Sequence, residues 1–219
     1  ASSAEFYCVK TSGAGAFTIS NNFFGGVNTA DNIVLGGGLN EATSSQITSA
    51  INCESTGVNA ITSNKIYNWE VNGTGANQID LVYDASGASS SSMTSNVVSN
   101  IQIAKESTTG LTRIFEVASG NTYSISSNVI KDITYFGALV GIRHTGDAAG
   151  NTITISNNTI GSTTADDIYT STTATNAFIG IEGGIVVTNA GTYNISSNTI
   201  QNVKLEGLNA QTAYGIYGA

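Results

Sequence analysis

Ile155-Ser156-Asn157-Asn158-Thr159-Ile160 decides how this chain folds, because the same phrase is written six times. The other copies read Ile19-Ser20-Asn21-Asn22-Phe23-Phe24, Ile61-Thr62-Ser63-Asn64-Lys65-Ile66, Met93-Thr94-Ser95-Asn96-Val97-Val98, Ile125-Ser126-Ser127-Asn128-Val129-Ile130 and Ile195-Ser196-Ser197-Asn198-Thr199-Ile200. The fourth position is always asparagine: Asn22, Asn64, Asn96, Asn128, Asn158 and Asn198, at steps of 42, 32, 32, 30 and 40 residues. Periods in this range belong to solenoids, propellers or arrays. Residues leading into the phrase alternate, as in Thr152-Ile153-Thr154-Ile155, which is the pattern of a half-buried strand. No long stretch carries a helical stripe. A propeller blade needs four strands and usually about 40 residues or more. The shorter steps here hold about three strands with their turns.

Stacking the phrases places like on like. The first residue of each would form one inward aliphatic column, and Phe24, Ile66, Val98, Ile130, Ile160 and Ile200 a second. Between them the asparagines would form a structural ladder of amides at roughly 4.8 Å spacing. An amide donates to one neighbour and accepts from the other, and asparagine tolerates left-handed backbone angles at a corner. A second strand precedes each phrase: Ile114–Val117, Leu139–Ile142, Gly184–Val187 and finally Tyr214–Tyr217. A third follows the corner, with Val27, Trp69, Ile101, Ile133 and Val203 in related positions. The expected fold is all-β, a right-handed parallel β-helix of about six to seven coils. It forms a single domain over residues 1–219, with loop insertions at about 28–48 and 162–178.

The phrase resembles the coil repeat of right-handed parallel β-helix proteins, the pectate-lyase-like superfamily, over residues 6–217. The resemblance implies the fold and leaves activity open, since that superfamily holds polysaccharide lyases and hydrolases, tailspikes, adhesin stalks and other surface proteins. Its lyases hold calcium with carboxylates on neighbouring coils and use a basic residue to take a proton. Its hydrolases use clustered aspartates.

Composition points the same way. The 219 residues contain no proline and only 10% charged residues, against roughly 25% charged in ordinary domains. Proline cannot donate to a ladder, so its absence fits a chain with nearly all its backbone paired. Ser, Thr, Asn and Gly supply the polar surface, as in secreted modules at a cell surface. Net charge is −8 with seven basic residues scattered along the chain, which argues against nucleic acid as a partner. No apolar run is long enough to span a bilayer. The chain begins at Ala1 without a signal peptide, as a mature product or a piece of a longer protein would.

Candidate chemistry is sparse. The only histidine, His144, precedes Asp147 and reads as a surface residue at a strand end. Aligning the second strands puts Glu116, Arg143 and Glu182 on successive coils, with His144 and Asp147 close by. That acid, base, acid order suits a cross-strand salt-bridge ladder, since like charges directly opposite destabilise. It is also the weak alternative site for catalysis on polysaccharide. Asp166 and Asp167 read as part of a solvated loop, lacking a third ligand for calcium. Gly36-Gly37-Gly38 has no following helix and no phosphate-loop pattern. Trp69 reads as core, and Tyr67 as an exposed residue able to meet a sugar. Ser20, Thr62, Thr94, Ser126, Ser156 and Ser196 form an outward hydroxyl column, which raises ice binding as a minor alternative. Cys8 and Cys53 precede their phrases at nearly the same distance. Stacked on adjacent coils they would form a disulfide, the alternative being two buried free thiols.

The last segment, Thr212 to Ala219, matches the start of a seventh coil. With no capping helix at either end, the coils expose strand edges. The expected partners are therefore copies of the chain stacked end to end, as in a filament, or flanking repeats of a longer chain. The function expected is an extracellular structural or adhesive module, a stalk, adhesin segment or filament subunit without enzymatic activity or cofactors. A polysaccharide-active or glycan-binding β-helix is the alternative.

Overall fold

The computed structural model describes residues 4–26, 33–35, 46–71, 78–85, 90–103, 111–118, 121–146, 150–164, 167–172, 176–183, 191–207 and 211–218. Among these there is no helix, and the strands form three sheets whose pairings are all parallel. The first sheet stacks Ala4–Gly13, Gln46–Ser55, Gln78–Asp84, Leu111–Val117, Ala138–His144, Asn176–Gly183 and Gln211–Gly218. The second stacks Phe17–Ser20, Asn59–Thr62, Ser91–Thr94, Tyr123–Ser126, Thr152–Ser156 and Thr192–Ser196. The third stacks Phe23–Phe24, Lys65–Val71, Val97–Ile103, Val129–Thr134, Thr159–Ile160 and Thr199–Ile200. Its layers are continued by Ile33–Leu35, Ile168–Thr172 and Val203–Gly207. One layer per sheet per coil, repeated in the same order, is a parallel β-helix.

The phrases stack in register. Ile19, Ile61, Met93, Ile125, Ile155 and Ile195 are consecutive partners in the second sheet. Phe24, Ile66, Val98, Ile130, Ile160 and Ile200 are consecutive partners in the third. The middle members of both columns are fully buried in one core with Trp69, Phe115, Ile142 and Ile181. Burying each such side chain contributes about 1.5–3 kcal/mol, so a coil without its neighbour would lose most of its stabilisation.

The tight corner is built differently from the sequence expectation. The left-handed residue is the third of the phrase, not the asparagine: φ is 57° at Asn21, Ser63 and Ser95, 58° at Ser127, 56° at Asn157 and 54° at Ser197. Small polar residues take this conformation at lowest cost. The turn then carries the next side chain, the asparagine, into the coil. A second left-handed position falls four residues past the asparagine at Asn68, Asn100, Asp132 and Asn202.

Two further expectations are corrected. Both supposed loop insertions contain third-sheet strands, Ile33–Leu35 and Ile168–Thr172, and the next first-sheet strand begins at Gln46. Ile33 pairs with Trp69, the place expected of Val27, which lies outside the described residues. The sixth first-sheet strand is Asn176–Gly183, in which Ile181 pairs with Ile142 and Glu182 with Arg143. Gly184 to Val187 lie outside the described residues, as does the Gly36 to Gly38 run.

Candidate functional site

The asparagine ladder is directional. Asn64 donates from its backbone N and from Nδ2 to Oδ1 of Asn96, each at 3.0 Å. Asn96 donates in the same way to Asn128, Asn128 to Asn158, and Asn158 to Asn198. Each Nδ2 also returns a bond to the first residue of the phrase one coil back, as from Asn96 to the Ile61 carbonyl at 2.9 Å. Every interior amide therefore uses both its donors and both its acceptor sites. Asn64, Asn96, Asn128 and Asn158 are buried, so satisfying them is obligatory rather than optional.

The first sheet carries a row of closely spaced acids and arginines. Glu116 pairs in register with Arg143, and Arg143 with Glu182, while Arg113 pairs with Asp80. The Arg113 guanidinium bonds both carboxylate oxygens of Asp80 and lies 2.6 Å from Glu116 Oε2. Arg143 lies 2.9 Å from Glu182 Oε2 and 3.9 Å from Glu116 Oε1. Gln78 donates to Asp80 at 2.6 Å. These form an alternating row of three acids and two bases with side chains less than a fifth exposed. The pairing is close but imperfect, because Glu116 Oε2 and Arg143 Nε lie at ion-pair distance without hydrogen-bond alignment. Burial pushes the Glu116 carboxyl up to about 7, reinforced by the charge of Asp80 and opposed by the two arginines. The same desolvation, with the carboxylates of Glu116 and Asp80, raises the Tyr83 hydroxyl.

His144 is not on the surface. It is fully buried, with Nδ1 2.8 Å from the Tyr193 hydroxyl and the two rings edge to face at 5.5 Å. Alternation explains this: Ile142 faces the core and Arg143 the other side, so His144 returns to the interior. There it follows Val117 and Asp84 in one stacked column. Asp84 is fully buried and accepts from Tyr123 Oη at 2.6 Å and Asn59 Nδ2 at 2.9 Å. Burial is the main cause that carries the Tyr123 hydroxyl well above its ordinary value, with the Asp84 carboxylate next. Asp147, expected beside His144, lies outside the described residues.

The disulfide is overturned by register. Val9 pairs with Ile51 and Thr11 with Cys53, so Cys8 falls three positions short of its supposed partner. Both thiols are free, Cys8 exposed and Cys53 buried. Cys53 Sγ instead lies 2.8 Å from Thr11 Oγ1.

The remaining candidates are structural in their contacts. Asp167 is buried and accepts from Ser162 Oγ at 2.7 Å, with burial raising its carboxyl; Asp166 lies outside the described residues. Trp69 is core, donating from Nε1 to the Phe24 carbonyl and packing edge to face on Phe6. Tyr67 is half-buried against Phe23. The hydroxyl column Ser20, Thr62, Thr94, Ser126, Ser156 and Ser196 is in register, with Thr94 donating to Thr62 at 3.1 Å. No group of three or more His, Cys, Asp or Glu among the described residues is placed to hold a metal ion. Asp80 and Arg113 were not singled out from sequence, although the register that pairs Val82 with Phe115 also pairs them. No protein-family model, no curated protein and no solved structure matches the chain.

Proposed function

We propose that this chain is an extracellular structural or adhesive module, a length of stiff coil stack. The observation that carries the reading is the recurrence of one coil-to-coil interface in strict register. Each interior step supplies the same three amide bonds and the same two apolar columns. At the last strand, Gln211–Gly218, Tyr214, Ile216 and Tyr217 are 45%, 56% and 37% exposed. The interior ion-pair row and buried tyrosines serve the stack by pairing within it.

The strand count bears on what continues the stack. The first sheet has seven strands and the second has six. A second copy whose first strand sat on Gln211–Gly218 would leave one layer of about 4.8 Å empty in the other two sheets. That argues against a filament built by seating separate copies directly on that strand. Low charge and absence of proline support the extracellular part of the reading.

A quasi-one-dimensional stack should unfold coil by coil under force. A 32-residue coil released from the stack lengthens the tether by roughly 105–115 Å. Single-molecule pulling is expected to show steps of that size. One smooth low-force extension would contradict a load-bearing role. A second reading, a polysaccharide-active face, is favoured by one observation: a buried acid, Glu116, held 2.6 Å from Arg113 and raised to about 7 by burial first and Asp80 next, as a general acid would be. Release of reducing ends from a polysaccharide panel, lost in Glu116→Gln, would establish it.

A further inference from the structure

We infer that Asp132 and Asp167 together bind one divalent cation, calcium by the chemistry of their oxygens, as a clamp between two successive layers of the third sheet. The site is independent of the stacking role proposed above.

The pair sits on a second corner column. Trp69, Ile101, Ile133, Ile168 and Val203 are consecutive register partners. The residues before them, Asn68, Asn100, Asp132, Asp167 and Asn202, therefore hold one position in successive layers. The column begins as a row of amides: Asn68 donates from Nδ2 to the Gly26 carbonyl, and Asn100 from Nδ2 to Asn68 Oδ1. An asparagine at 132 would donate to Asn100 in turn, and one at 167 to residue 132. Carboxylates stand at both places instead, and ionised carboxylates only accept. Asp132 Oδ2 accepts from Ser99 Oγ at 2.8 Å, and Asp167 Oδ1 from Ser162 Oγ at 2.7 Å. Asp167 Oδ2 has no donor, although this oxygen is buried and the residue is only 4% exposed. The side chain that the Asp167 carboxyl meets is that of Asp132. The Lys131 ammonium lies 3.9 Å from Asp132 Oδ2 and leaves Asp167 Oδ2 without a donor. Like charges on adjacent strands destabilise, and an orphaned buried acceptor adds to that cost. A cation held between the two carboxylates removes both penalties.

The oxygens on offer are hard ligands. Calcium accepts irregular geometry and completes its six to eight ligands with water. The Asp132 side chain is 45% exposed, so ion and water reach the pair from that side. With few protein ligands, the affinity expected is about 10⁻⁴–10⁻³ M, the range of extracellular calcium modules.

The test is thermal unfolding of the EDTA-treated chain across a CaCl2 titration at constant ionic strength, followed at Trp69. At calcium ten times the dissociation constant the folding equilibrium should shift about tenfold toward the native state. MgCl2 should do much less, since magnesium demands near-ideal octahedral geometry. Asp132→Asn should abolish the calcium response. Asp167→Asn should abolish it and also raise the midpoint without calcium, because the new amide can donate to Asp132 as Asn100 does to Asn68. Glu206→Gln, at an exposed acid elsewhere, should keep the response. No shift up to about 10 mM CaCl2, ten times the weak end of that range, overturns the inference. So does an equal shift in MgCl2, or a calcium shift that survives both aspartate substitutions. A midpoint that rises on acidification but not with calcium would give the pair a shared proton in place of the ion, and equally overturns it.

Discussion

Asn96→Ala measures the ladder where its bonds are most numerous. The Asn96 side chain accepts from Asn64 N and Nδ2 at 3.0 Å each and donates to Asn128 Oδ1 at 3.0 Å and to the Ile61 carbonyl at 2.9 Å. Alanine removes all four bonds and strands two donors on Asn64, which is itself fully buried. Each stranded buried group costs about 1–3 kcal/mol, and the lost amide leaves a small cavity, so the expected loss is about 3–5 kcal/mol. Asn22→Ala is the internal control. Asn22 gives its neighbour one side-chain bond, from Nδ2 to Asn64 Oδ1 at 2.9 Å, and that oxygen keeps the bond from Asn22 N. The expected loss there is about 1 kcal/mol. Guanidinium unfolding followed by the single tryptophan, Trp69, buried one coil from Asn96, reports both, and equal denaturant slopes license the comparison. Equal costs for the two variants, or a cost at Asn96 near 1 kcal/mol, would refute the claim that saturated amides hold the corners.

Other outcomes follow from single sites. Ser127→Val puts a β-branched residue at φ 58° and should lose about 1–2 kcal/mol, while Ser127→Gly should be close to neutral in the same unfolding assay. A Cβ at Gly180 would lie 2.6 Å from the Gly215 backbone carbonyl oxygen, which cannot step aside, whereas one at Gly215 would meet only Ile200 Cδ1 at 3.9 Å, so Gly180→Ala should cost about 1–3 kcal/mol and Gly215→Ala should be tolerated. Glu116 titrates near 7 when folded against an ordinary value of 4.5. The folded state then binds more protons than the unfolded between those values, so stability should fall as pH rises from about 4.5 to 7. Glu116→Gln should flatten that slope, and a slope of the opposite sign would show that the arginines outweigh burial. Native alkylation should modify Cys8 quickly and Cys53 only on unfolding, read by mass, because only the first is exposed.

The stacking was legible because the phrase fixes its own register. Apolar residues at its two ends and one invariant amide leave a single alignment of the copies, and the six asparagines stack in it. The left-handed corner was read one residue late, since both Ser and Asn accept φ near +57° and only side-chain direction separates them. Gly184-Ile185-Val186-Val187 looked more strand-like than Asn176–Gly183, yet the sheet selects the segment that sets Ile181 beside Ile142 and Glu182 beside Arg143. The burial of His144 was present in the alternation of Ile142, Arg143 and His144 but hidden by the polarity of histidine. Its partner Tyr193 is 49 residues away, a contact that only the coil geometry creates. Cysteine spacing misled because the first two coils are offset by three residues at that point.

Native-state hydrogen exchange of the six ladder asparagines tests the central claim most directly. A stack held by a directional ladder with an open last layer predicts that the backbone amides of Asn64, Asn96 and Asn128 exchange only with global or coil-by-coil unfolding. The amide of Asn198, at the last rung of the ladder, should exchange near the unprotected rate. Uniform protection across all six, or rapid exchange at Asn96 and Asn128, would contradict the account.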